Sequence, residues 1–208
     1  MKNRYQHLFD TGMLRKDLKQ RSVRGGLNAF FSQSIVYVMR IGFSAVLARL
    51  LAPQDYGLVA MVSALTALAD QFRDMGLSQA TIQQRDIKHE QVSALFWINV
   101  GIGALLTLVV AASAPLVARF YNEPRLTLIT ITSSLSFTLG GLNVQHQALL
   151  QRQMMYGRLA AVNVASVAGS SLIAVLCAFA GMNYWALVCM NLSHPAIRGL
   201  GLWLSTGW

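Results

Sequence analysis

Six apolar runs occupy most of this chain: residues 27–51, 56–77, 92–118, 126–150, 159–180 and 184–204. A helix needs about 20 mostly apolar residues to cross the hydrocarbon core of a bilayer, and each run is long enough. A soluble domain could hide such runs only beneath a charged surface. Here 12% of residues are charged and 54% are hydrophobic, against about 25% charged in soluble domains. Lipid is therefore the expected solvent of the outer face. Ala52-Pro53-Gln54-Asp55, Tyr121-Asn122-Glu123-Pro124 and Gly181-Met182-Asn183 read as turns between runs, because proline disfavours helix in the residue before it and glycine and asparagine accept turn geometry. The expectation is an all-α membrane protein with about six transmembrane helices in residues 27–208, preceded by a basic tail at residues 1–26.

A net charge of +9 could suggest nucleic acid. The placement of the charges argues otherwise. Lys2, Arg4, Arg15, Lys16, Lys19, Arg21 and Arg24 lie in the tail, Arg85 and Lys88 between the second and third runs, and Arg152 and Arg158 between the fourth and fifth. If six helices alternate, all of these share one side, and only Arg119 and Arg125 lie on the other. Cytoplasmic loops carry the excess of Lys and Arg, so both termini are expected in the cytoplasm. The tail sets topology and could also be drawn to anionic membrane lipids. It is too polar for a cleaved signal peptide. Cys177 and Cys189 sit inside apolar runs with no metal-ligand spacing, and read as small hydrophobes.

Polar residues inside membrane helices usually face a bundle interior or a water-filled cavity. In the first run Gln33, Tyr37, Arg40 and Ser44 follow helical spacing. Arg40 lies near mid-span, where it either hydrogen-bonds a neighbouring helix or meets an anionic substrate. The second run ends with Asp70, Arg73 and Asp74, spaced for ion pairing: either a salt-bridged helix end or a gating or coupling-ion site. The fourth run aligns Ser136, Asn143 and Gln147, with His146 beside them. The fifth aligns Asn163, Ser166 and Ser170. The sixth aligns Asn191, His194 and Arg198 around Pro195, which removes a backbone hydrogen bond and is expected to bend the helix. Such side chains often serve only as interhelical glue. Several polar stripes together point to a polar cavity or substrate pathway.

No catalytic arrangement stands out. The chain lacks a glycine-rich phosphate loop before lysine, an HExxH pair and a GxSxG elbow. The expectation is a non-enzyme with no cofactor and no metal.

The segment Leu47-Ala48-Arg49-Leu50-Leu51-Ala52-Pro53-Gln54-Asp55-Tyr56-Gly57 resembles the first loop of the bacterial polysaccharide exporters. These are lipid-linked oligosaccharide flippases of the multidrug/oligosaccharidyl-lipid/polysaccharide superfamily. Asp74-Met75-Gly76-Leu77-Ser78-Gln79-Ala80-Thr81-Ile82-Gln83 is similar to their second-helix exit. Arg119-Phe120-Tyr121 before Glu123-Pro124, and Gln147-Ala148-Leu149-Leu150-Gln151-Arg152, fit in order and spacing. The likeness runs from about Arg24 onward and is greatest to the subgroup that handles colanic acid, teichuronic acid and similar exopolysaccharides. It implies a two-lobed transporter more than twice this length, of which this chain would be the amino-terminal lobe, completed by a carboxy-terminal lobe or a second copy. It also implies an undecaprenyl-diphosphate-linked oligosaccharide as substrate and the bacterial inner membrane as location. A cation-coupled multidrug exporter lobe and a non-transporting scaffold are the competing expectations.

Overall fold

A computed structural model describes residues 18–71 and 89–206. Most of the basic tail lies outside the described residues, as do Arg73 and Asp74. Among the described residues six helices follow one another: α1 (Leu18–Leu50), α2 (Pro53–Asp70), α3 (His89–Phe120), α4 (Arg125–Arg152), α5 (Tyr156–Phe179) and α6 (Trp185–Thr206). The all-α membrane architecture read from the apolar runs is what the chain adopts. Phe30–Leu50, Glu90–Phe120, Arg125–Arg152 and Tyr156–Phe179 are each long and apolar enough to cross a membrane. The described α2 has only 18 residues, and α6 spends its length on Asn191, His194, Arg198 and an internal Pro195. The helices thus support between four and six crossings of a multi-pass membrane protein. Helix α1 begins nine residues before the expected boundary at Leu27.

The turns form for local reasons. Pro53 occupies the first turn of α2, where its missing N–H costs nothing. The Asp55 carboxylate accepts a hydrogen bond from the Ala52 N–H at 3.2 Å, and the Asp55 N–H donates to the Ala52 carbonyl at 3.0 Å. Helices α3, α4 and α5 all end in the same way. Asn122, Met154 and Gly181 take positive φ, and the next N–H reaches back five residues: Glu123 to Ala118, Met155 to Leu150 and Met182 to Cys177, at 3.0–3.1 Å. This satisfies carbonyls that a helix end would otherwise leave open. Asparagine and glycine tolerate such a φ readily; Met154 bears some strain.

Antiparallel α3 and α4 pack backbone to backbone. A Cβ on Gly103 would fall 2.6 Å from the Phe137 carbonyl oxygen, and one on Gly141 2.6 Å from that of Asn99. Small residues at such crossings are the main device for helix association where lipid removes the hydrophobic drive. One turn from Gly103, the Thr107 hydroxyl lies 2.9 Å from the Ser134 carbonyl and 2.8 Å from the Thr138 hydroxyl. It can donate to the first while accepting from the second. Helix α6 packs on both α4 and α5, and α5 carries α1. Ser32, Val36 and Leu47 form the buried edge of α1. Helix α2 leans on α4 with a smaller contact.

The apolar core gathers at the end of the bundle that holds the α1–α2, α3–α4 and α5–α6 turns. Leu47, Leu51, Leu58, Val62, Leu126, Ile129, Ala174 and Leu187 pack there. Further along, α1 and α2 stand over α4, α5 and α6 with space between them.

Candidate functional site

Two cavities occupy that space, on either side of one ridge of α6. The first, of about 340 Å³, lies against α2, α4 and α6. Ser63, Thr66 and Asp70 line it from α2, Ser133, Ser136, Asn143 and Gln147 from α4, and Asn191, His194 and Arg198 from α6. The second, of about 320 Å³, lies between α1, α5 and α6. Arg40 and Ser44 line it from α1, Ser170 and Ser171 from α5, and Asn191 and His194 from α6. Asn191 and His194 belong to both linings. The apolar plug bounds both cavities through Leu47 and Val62.

The α6 ridge is held by contacts to α4. The Asn143 amide donates to the Pro195 carbonyl at 2.8 Å. The Arg198 guanidinium donates to the Gln147 side-chain carbonyl at 3.0 Å. A Cβ on Gly199 would fall 2.5 Å from Asn143 Oδ1, so the absence of a side chain there lets α4 come close. Helix α6 runs through Pro195 without interruption. His194 shares the first lining with Arg198 and the second with Arg40. Its Nε2 is buried and has no hydrogen-bond partner among the described residues. A buried, unsatisfied ring nitrogen on a residue that lines both cavities is a place for a polar ligand or water. Among the described residues, Asp70 is the single acidic side chain in either lining.

The residues expected to share a pathway do not all meet. Arg40, Ser44, Asp70, Asn143, Gln147, Asn191, His194 and Arg198 line one cavity or both. Gln33 and Tyr37 are exposed and line neither. Their stripe lies one residue, about 100°, around α1 from the edge on α5, and it borders a cavity only where α6 stands opposite. Asn163 is half-buried and lines neither. His146 faces the other way. It is buried, its ring packs between Phe96 and Trp203 with centroids 5.9 Å and 5.3 Å away, and its Nδ1 lies 3.0 Å from the Thr206 hydroxyl. One step along α4 from Gln147 turns His146 from the cavity to the joint between helices. Ser63 and Thr66 were missed, although with Asp70 they have offsets of 3 and 7 on α2. Among the described residues no group of His, Cys, Asp or Glu could hold a metal ion.

Comparison with known proteins gives this arrangement a family. The lipopolysaccharide biosynthesis protein WzxC of Escherichia coli K12 is 25% identical over 88% of this chain and 37% of its own length. The teichuronic acid biosynthesis protein TuaB of Bacillus subtilis 168 is 31% identical over 49% of this chain and 21% of its own. The succinoglycan biosynthesis transport protein ExoT of Rhizobium meliloti is 29% identical over 76% of this chain and 32% of its own. The chain thus spans roughly a third or less of the length of these relatives. No solved structure matches it significantly. Residues 46–208, which include five of the six helices and every cavity residue except Arg40, Phe43 and Ser44, match the family described as "Polysaccharide biosynthesis protein". The chain belongs to that polysaccharide biosynthesis protein family.

Proposed function

We propose that the chain forms one wall of a path by which a lipid-linked oligosaccharide, carried on undecaprenyl diphosphate, crosses the bacterial inner membrane for exopolysaccharide or lipopolysaccharide assembly. The observation that carries this reading is the pair of adjoining cavities, with half-buried His194 and Arg198 and, on the exposed rim of α1, Arg40, set among Ser, Thr and Asn side chains. Ionisable groups in membrane helices serve substrate or ion pathways by default. Guanidinium groups suit a diphosphate through charge-assisted hydrogen bonds, and hydroxyl and amide groups suit sugar hydroxyls. The Rhizobium relative is by name a transport protein of succinoglycan biosynthesis, which supports the same reading. It requires no catalytic step and no cofactor.

In two-lobed transporters the substrate lies between the lobes. The chain's partner in this reading is therefore a carboxy-terminal lobe or a second copy, which closes the cavity from the side that α1 and α2 leave open. A photoreactive polyprenyl-diphosphate sugar, incubated with the protein reconstituted in liposomes, is expected to label peptides of α1 and α6 that contain Arg40 and the Asn191–Arg198 ridge. Excess unlabelled polyprenyl diphosphate should compete. Labelling confined to the outer face of α3, or indifference to competitor, would sink the reading. The 208-residue chain is expected to insert without translocating the lipid. Saturable, protein-dependent translocation would mean that a second copy supplies the opposite wall.

The bias of Lys and Arg orients the bundle with both termini in the cytoplasm and the apolar plug toward the periplasm. In a cysteine-free background, single cysteines at Gln54 and Asn122 should react with an impermeant maleimide applied to the periplasmic face, and one at Met154 should not. The reverse pattern would invert the bundle.

A further inference from the structure

We propose that Cys177 and Cys189 form an oxidation site that closes to a disulfide between α5 and α6. These are the chain's two cysteines, both are half-buried free thiols, and nothing in the transport reading uses them. The register of the helix pair puts them opposite each other. A Cβ on Gly169 of α5 would meet Ile197 of α6 at 2.9 Å, so those two positions face each other across the antiparallel hairpin. Cys177 lies eight residues beyond Gly169, and Cys189 eight residues before Ile197. Eight residues keep a position on the same helical stripe and advance both helices by about 12 Å at 1.5 Å per residue. The two thiols therefore reach the same level on facing stripes of the two helices. The backbone hydrogen bond from Met182 to the Cys177 carbonyl ties this level to the turn.

The chemistry is thiol–disulfide exchange with a disulfide-bearing oxidant of the kind that works on the outer face of the membrane. One cysteine thiolate attacks a sulfur of the oxidant's disulfide and expels a thiolate, leaving a mixed disulfide. The other cysteine, as thiolate, attacks the protein sulfur of that bond and expels the oxidant's second thiolate. The protein loses two protons and two electrons, and the oxidant leaves as a dithiol. The consequence reaches the cavity. Met190 follows Cys189 directly and lines the α1-side cavity together with Asn191 and His194, while Ser170 and Ser171 line it from α5. A covalent link fixes the separation of those two walls.

The test uses the protein purified in detergent and treated with diamide or oxidised glutathione. The expected result is loss of both titratable thiols, an intact mass lower by two hydrogens, and a monomer band unchanged on non-reducing gels. Dithiothreitol should restore both thiols. With Cys177→Ser, the remaining thiol should give only a mixed disulfide with glutathione or an intermolecular dimer. Thiols that stay titratable in the wild-type protein, a dimer, a stable glutathione adduct on both cysteines, or a mass gain from added oxygen would each overturn the proposal. Because the readout is covalent, these outcomes are independent of whether the chain carries a lipid-linked sugar.

Discussion

Gly141→Ala is expected to lower the thermal melting midpoint of the detergent-purified protein by roughly 2–12 °C. The added Cβ would fall 2.6 Å from the Asn99 carbonyl oxygen and 3.2 Å from its carbon. Both are backbone atoms in the middle of α3, so no side chain can swing aside. The helices must separate, and the hydrogen bonds of Thr107 to α4 weaken with the gap. Overpacking of this kind costs about 1–3 kcal/mol. In a chain of this size each kcal/mol shifts the midpoint by about 2–4 °C. The internal control has the opposite sign. Gly101 lies on α3 with nothing within 4 Å of an added Cβ, so Gly101→Ala should gain about 1 kcal/mol of helix propensity and melt slightly higher. Equal melting of wild type and Gly141→Ala would mean that α3 and α4 do not pack backbone to backbone.

Arg40→Ala is expected to reduce export of the cognate polysaccharide at least tenfold in cells that depend on this protein, with unchanged amounts of protein in the membrane. The residue lines the cavity between α1, α5 and α6. In the proposed path its guanidinium makes charge-assisted hydrogen bonds to a diphosphate. Loss of one such bond is worth roughly 1.5–3 kcal/mol, which is about ten- to a hundredfold in binding. Arg40→Lys keeps the charge but not the planar fork, and should retain part of the activity. Arg49→Ala is the control, since Arg49 is exposed in the last turn of α1 and lines neither cavity. Normal export by Arg40→Ala at equal protein level would reduce the residue to helix packing.

Residue spacing foresaw some of the cavity lining and not the rest. Arg40 and Ser44 were legible as a polar stripe, and the structure sets them on a cavity. Gln33 and Tyr37 belong to the same stripe by spacing, yet both are exposed and line neither cavity. His146 and Gln147 are neighbours in α4, but one packs against Phe96 and Trp203 while the other accepts from Arg198 across the cavity edge. Ser63 and Thr66 carried a signal at helical spacing, and it counted only once α2 was seen to face α4 and α6.

By itself the amino-acid sequence determined the all-α membrane architecture and, among the described residues, the turns between successive helices. Long apolar runs, a low charge density and local turn chemistry at Pro53, Asn122 and Gly181 act within a few residues and need no partner. Only the tertiary structure decided which way each helix faces. In lipid an apolar side chain gains little by turning inward, so hydropathy scarcely encodes helix rotation. Rotation follows instead from close approaches at Gly103, Gly141 and Gly199 and from hydrogen bonds such as Asn143 to the Pro195 carbonyl. Those contacts join residues up to 56 positions apart, and they are what sets the α6 ridge of Asn191, His194 and Arg198 against α4.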